Sequence, residues 1–149
     1  MKRDIIIMII AVACASCSKL ETAKIPPGKT GQPETMTIAS GQCVIVVPGG
    51  TNDAKVIALA TNAAAELGKH LKLVTDVEVQ TVSETGKLAG KYPFYVGIPL
   101  PDDNKPLASE EARWVITKDA TYLYGDNAPG RFGIQFAVYG FLEDSLGVR

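Results

Sequence analysis

Apolar and polar positions divide this chain into a leader, a polar stretch and a region with regular periods. Ile5 to Ala13 is an almost unbroken apolar run behind Lys2 and Arg3. Residues 18 to 38 show no apolar period and are rich in Pro, Gly, Thr and Lys. From about Ser40 the pattern becomes structural. Cys43 to Val47 is a short β-branched run that reads as a buried strand. Pro48, Gly49 and Gly50 break it, and Thr51, Asn52 or Asp53 can cap a helix. Within that helix Ile57, Ala60, Ala64, Leu67 and Leu71 recur at helical spacing and share one face. Gly68 in its interior suggests close packing of that turn on a sheet.

Val77 to Val82 alternates and reads as a half-buried strand, and Phe94 to Ile98 as another. Pro99 to Glu111 reads as a surface loop. Arg113 to Thr117 and Thr121 to Tyr124 flank the polar turn Lys118-Asp119, the pattern of an antiparallel hairpin. A last helix is expected from about Arg131 to Leu146. Its apolar residues, Phe132, Ile134, Phe136, Ala137, Val138, Tyr139, Phe141, Leu142 and Leu146, cover more than one side. A helix apolar nearly all round is buried between layers. One side can pack on this domain's sheet; the other needs a neighbour. Phe136, Tyr139, Phe141, Leu146 and Arg149 are therefore expected to form an interface, and the natural protein is expected to continue past Arg149. The order β-α-β-β-β-β-α predicts a two-layer α+β fold. Its sheet would be mainly antiparallel, of about four to five strands, with two helices on one face.

Composition changes the picture at the amino end. A positive start, an apolar run too short to span a bilayer as a helix, and small residues before a cysteine describe an export leader. Ala15-Ser16-Cys17 resembles the lipobox of bacterial lipoproteins, with Ala11 to Cys14 as a competing frame and a plain secretory signal or a short membrane-anchoring helix as the alternatives. The resemblance implies that residues 1–17 are a signal peptide, that Cys17 carries lipid, and that 18–39 is a flexible tether. The folded unit is then 40–149. The partner at this end would be a membrane of the cell envelope, at the outer membrane or cell surface. Each buried acyl CH₂ contributes roughly 0.8 kcal/mol, so a multiply acylated cysteine anchors durably. About twenty flexible residues reach roughly 25 Å.

A net charge of −1 gives no nucleic-acid footprint. Cys43, alone in the folded part, reads as a small buried hydrophobe. One histidine, His70, leaves a zinc site or a nucleophile such as Ser83 or Ser109 without ligands or a base, and no cofactor is expected. The loop before the first helix lacks the spacing of either phosphate-binding motif, so a turn and cap is its expected role. Paired carboxylates occur as Asp102 with Asp103 and Glu110 with Glu111, and read as solvated surface charge. Glu143 could pair with Arg131 or Arg149. Tyr92, Phe94, Tyr95, Trp114, Tyr122 and Tyr124 read as core or cross-strand pairs, with sugar stacking as the functional alternative.

Trp114 to Gly125, Gly130, Phe136 to Glu143 and Leu146 to Arg149 resemble a known small domain, as does the upstream helix Ala63 to Leu71 with Thr75. It is the non-catalytic N-terminal domain that precedes the barrel in family-20 hexosaminidase-type glycoside hydrolases and α-glucuronidases. The likeness is greatest to large bacterial proteins carrying the domain of unknown function 4838. The resemblance covers roughly Val44 to Arg149. It implies an accessory domain that packs its last helix on a (β/α)₈ barrel, with the catalytic acids on that barrel. No active site is complete in these 149 residues. Polysaccharide is the partner under the alternative reading, a glycan-binding module acting on its own.

Overall fold

A computed structural model describes residues 5–9, 34–38, 42–50, 53–84, 88 and 90–148. Cys17, Thr51, Asn52, Arg149 and most of the expected tether lie outside these residues. The elements are β1 (Ile5–Ile9), β2 (Glu34–Ile38), β3 (Cys43–Val47), α1 (Ala54–Thr75), β4 (Gln80–Ser83), β5 (Tyr92–Val96), β6 (Ala112–Ile116), β7 (Thr121–Gly125) and α2 (Gly133–Leu146).

The fold is α+β in two layers: a five-stranded sheet in the order β4-β3-β5-β7-β6, with α1 and α2 packed side by side on one face. Strand direction departs from the expectation. Three of the four pairings, β3–β4, β3–β5 and β5–β7, are parallel; only the β6–β7 hairpin is antiparallel. The reason lies in the connections. Helix α1 carries the chain back along β3 and delivers β4 parallel to it. Residues 84–91 then return the chain past β3 to β5. β4 and β5 thus both run parallel to β3, one on each side of it. Consecutive strands in the sequence therefore do not imply a hairpin here.

Residues 34–38, read above as the end of the tether, form a strand antiparallel to β1. Thr35, Thr37 and Ile38 supply the β-branched bias that a count of Pro and Gly overlooks. β1 also runs against α2.

The core lies between the layers. Ile45, Phe94, Val96 and Leu123 from the sheet meet Ala60, Ala64, Leu67 and Leu71 of α1 and Ile134, Ala137, Phe141 and Leu142 of α2. Asp53 caps α1, its Oδ1 accepting from the amides of Lys55 at 3.0 Å and Val56 at 3.3 Å. Gly68 lies over Ile45, where a Cβ would stand 3.4 Å from Cδ1. Thr117 closes the β6–β7 turn, its Oγ1 accepting from the Ala120 amide at 2.9 Å.

Gly140 admits Trp114 against α2: a Cβ there would stand 2.6 Å from the ring's Cζ3. Helix propensity favours alanine at such a site by about 1 kcal/mol. Overpacking a rigid indole costs about 1–3 kcal/mol and outweighs it. Gly140→Ala is expected to lower the melting temperature by several degrees. In a Trp114→Ala background the same change should raise it. Thermal denaturation of the four proteins in that cycle checks the change of sign.

Candidate functional site

Open α/β sheets bind ligands outside the carboxyl ends of their strands, where strand order reverses. Here that point lies between β3 and β5, and it is filled. Gly97, with φ of 78°, ends β5 directly beneath both helices; a Cβ there would stand 2.9 Å from Ala60 Cβ and 3.0 Å from Ile134 Cδ1. Among the described residues, the Pro48-Gly49-Gly50 turn beside it offers no anion cradle. Its Gly49 amide donates to Glu84 Oε2 at 3.2 Å, and Asp53 already takes two amides at the start of α1. At the start of α2, the Ile134 amide donates to Asn127 Oδ1 at 3.3 Å. Resident acceptors hold the donors a phosphate would need.

The same edge carries the strongest polar cluster. Strand alternation turns Arg113 and Tyr124 to the face away from the helices, because Trp114 and Leu123 face the core. The Arg113 side chain is 8% exposed. Its Nε donates to Glu111 Oε1 at 2.7 Å and its Nη1 to Asp103 Oδ2 at 2.8 Å. Nη1 and Nη2 also donate to the carbonyls of Lys105 and Pro106, each at 3.2 Å. Tyr124 donates its hydroxyl to the same Asp103 oxygen. One member of each sequence pair, Asp103 and Glu111, thus meets the other around a single guanidinium. Asp102 and Glu110 stay exposed, with φ of 69° and 62°.

This arrangement is a latch on the loop between β5 and β6, not a pair of catalytic acids. The Tyr124 hydrogen bond, and then Arg113, hold the Asp103 carboxyl below the usual carboxylate range against the opposing effect of burial. Hydrogen bonds from Arg113 and the Ala108 amide do the same for Glu111. Glycoside hydrolysis needs one carboxyl that keeps its proton near neutral pH, set across a gap from the other. Neither group here does so. Burial and Asp103 push the Tyr124 phenol up to about 12. Close by, Asp126 accepts from the amides of Glu110 at 3.0 Å and Ala128 at 3.1 Å and pairs with Arg131. Arg131 is thereby committed to Asp126 and does not pair with Glu143, and Arg149, the other partner considered for Glu143, lies outside the described residues.

The six aromatic candidates separate by face. Tyr92, Phe94 and Trp114 pack beneath the helices, Phe94 edge-on to Phe141 with ring centroids 5.8 Å apart. Tyr95 and Tyr122 lie half-buried on the opposite face, stacked on each other at 4.9 Å and 15°. Each therefore spends one ring face on the other.

Of the expected interface residues, Phe136 and Tyr139 are exposed and Leu146 is half-buried against the core. Phe141 corrects the expectation. It has no exposed surface, because the turn of α2 that carries it faces Phe94. Phe132, left out of that set, is exposed; one turn before Phe136, it lies on the same line. Cys43 is buried, and burial pushes its thiol up to about 11, so it is chemically quiet. His70 lies near the end of α1, toward the amino edge of the sheet, while Ser83 ends β4 at the carboxyl edge. Among the described residues no group of three His, Cys, Asp or Glu is placed to hold a metal, and no helix is long and apolar enough to cross a membrane. Comparison with family models, with curated proteins and with solved structures finds no match.

The latch predicts a pH dependence. Asp103 and Glu111 hold their charge to lower pH in the folded chain than in the unfolded one, where such groups titrate near 4. Their stabilisation is complete above that range and is lost as pH falls through the lowered folded values. Stability should therefore decline below about pH 5. Arg113→Leu should cost about 3 kcal/mol at neutral pH by stranding two carboxylates, and should flatten the acid decline. Urea unfolding at a series of pH values tests both effects.

Proposed function

We propose that the folded region is a non-catalytic accessory domain of a surface-anchored, glycoside hydrolase-like protein, and that α2 is the face on which a companion barrel rests. One observation carries this reading. Phe132, Phe136 and Tyr139 are 48%, 53% and 49% exposed on a helix whose other sides hold Ile134, Ala137, Val138, Phe141 and Leu142 in the core. The seam is open even beside β1, a strand that lies within the leader this reading removes. Scattered apolar side chains on a surface mean little, but a continuous aromatic line marks an interaction face. The filled sheet edge and the saturated carboxylates fit a domain that supports chemistry carried elsewhere. The resemblance of Trp114 to Arg149 to the domain preceding glycosidase barrels supplies the carbohydrate context. The glycan-module alternative draws less support, since Tyr95 and Tyr122 are half-buried and each gives one ring face to the other.

Two measurements test the reading in the native host. A photo-crosslinking residue at position 136 should capture a glycoside hydrolase-type barrel, in the same polypeptide or a bound one; its absence, or capture elsewhere only, overturns the buttress. Metabolic labelling with palmitate should mark the protein, survive Cys14→Ser and vanish with Cys17→Ser. A label lost with Cys14→Ser alone would move the anchor to the other frame, and no label at all would remove it.

A further inference from the structure

The α2 seam carries information about what covers it. Phe136, Tyr139 and Glu143 follow one another at spacings of three and four residues and form a single line along the helix, and Phe132, exposed at its N-cap, stands one turn before Phe136. Counted from Phe132, the line is about 16 Å long and one residue wide. Such a stripe matches the contact seam of a second helix lying along the first, not the broader footprint of a sheet. Its chemistry is not uniform. The first three positions are aromatic. The end carries Glu143 and Asp144, both exposed, in the last turn, where the helix dipole already disfavours negative charge. Among the described residues that turn holds no basic side chain, and Arg131 is committed to Asp126.

We infer that the companion surface, on the reading proposed above, is a helix with an apolar seam over Phe132, Phe136 and Tyr139 and a lysine or arginine cluster that meets Glu143 and Asp144. A second copy fits less well. The last turn of α2 has no basic side chain of its own to offer Glu143 and Asp144 of another copy. A lipid surface fits less well too, because an acidic rim is repelled by anionic headgroups.

The test uses the full chain and two labelled synthetic helices of about 25 residues, long enough to fold. Both carry the same leucine seam; one ends in three lysines, the other in three glutamates. Fluorescence anisotropy should show the lysine-ended helix binding about tenfold more tightly, a preference that shrinks with added salt. Glu143→Lys with Asp144→Lys should invert the preference. Phe136→Glu should abolish binding of both helices while circular dichroism stays unchanged. Equal affinities for the two helices, with Phe136→Glu still abolishing binding, would overturn the basic-end proposal alone. Binding indifferent to Phe136→Glu would overturn the docking face itself and the reading it rests on. Self-association through Phe136 in sedimentation, or Phe136-dependent binding to phosphatidylcholine vesicles, would assign the seam to a second copy or to lipid and overturn the proposal.

Discussion

The contact of Phe141 with Phe94 is the constraint from which the rest follows. It fixes which side of α2 faces the sheet. With Phe141, Ala137, Val138, Ile134 and Leu142 turned inward, helical geometry leaves Phe132, Phe136 and Tyr139 on the opposite side. Gly140 then faces Trp114, and the indole can lie close against the helix only because that position has no side chain. A single rotational setting thus decides the core, the packing of the edge hairpin and the aromatic line. Rotating α2 by one residue would bury a tyrosine hydroxyl and expose two core aliphatic side chains, so the setting is strongly specified.

How much of this the sequence carries can be followed residue by residue. The helical face of α1, its cap region and the Lys118-Asp119 hairpin are all written in local spacing, and the structure follows them. The excess of apolar surface on α2 is legible for the same reason: a periodicity that wraps around the helix cannot be satisfied by one layer. Which residues stay exposed is not legible. Phe136 and Phe141 are both phenylalanines on one helix, and only the crossing geometry with Phe94 separates them. The parallel order of β3, β4, β5 and β7 was hidden because periodicity gives a strand's faces but not its direction.

The Arg113 latch was hidden for a related reason. Asp103, Glu111, Arg113 and Tyr124 come from a loop, a strand entry and two neighbouring strands, and no spacing rule joins them. Alternation does place Arg113 and Tyr124 on the face opposite Trp114 and Leu123, and their facing register positions bring them together. That was the available signal. The carboxylates read as solvated surface charge are instead half engaged: Asp103 and Glu111 bind the guanidinium, while Asp102 and Glu110 remain in water. Residue type alone suggests acid chemistry there; the partners remove it by keeping both groups ionised.

The latch also gives the two borders of the sheet unequal fates. Strand β6 is an outer strand, yet it holds a charged side chain over its own face and a loop fastened beside it, a combination that discourages further strands from adding on. Among the described residues, strand β4 at the far border shows neither device: Gln80, Thr81, Val82 and Ser83 are uncharged and mostly open to solvent. Of the two borders, β4 is the one whose described residues do least to discourage a neighbouring segment from lengthening the sheet.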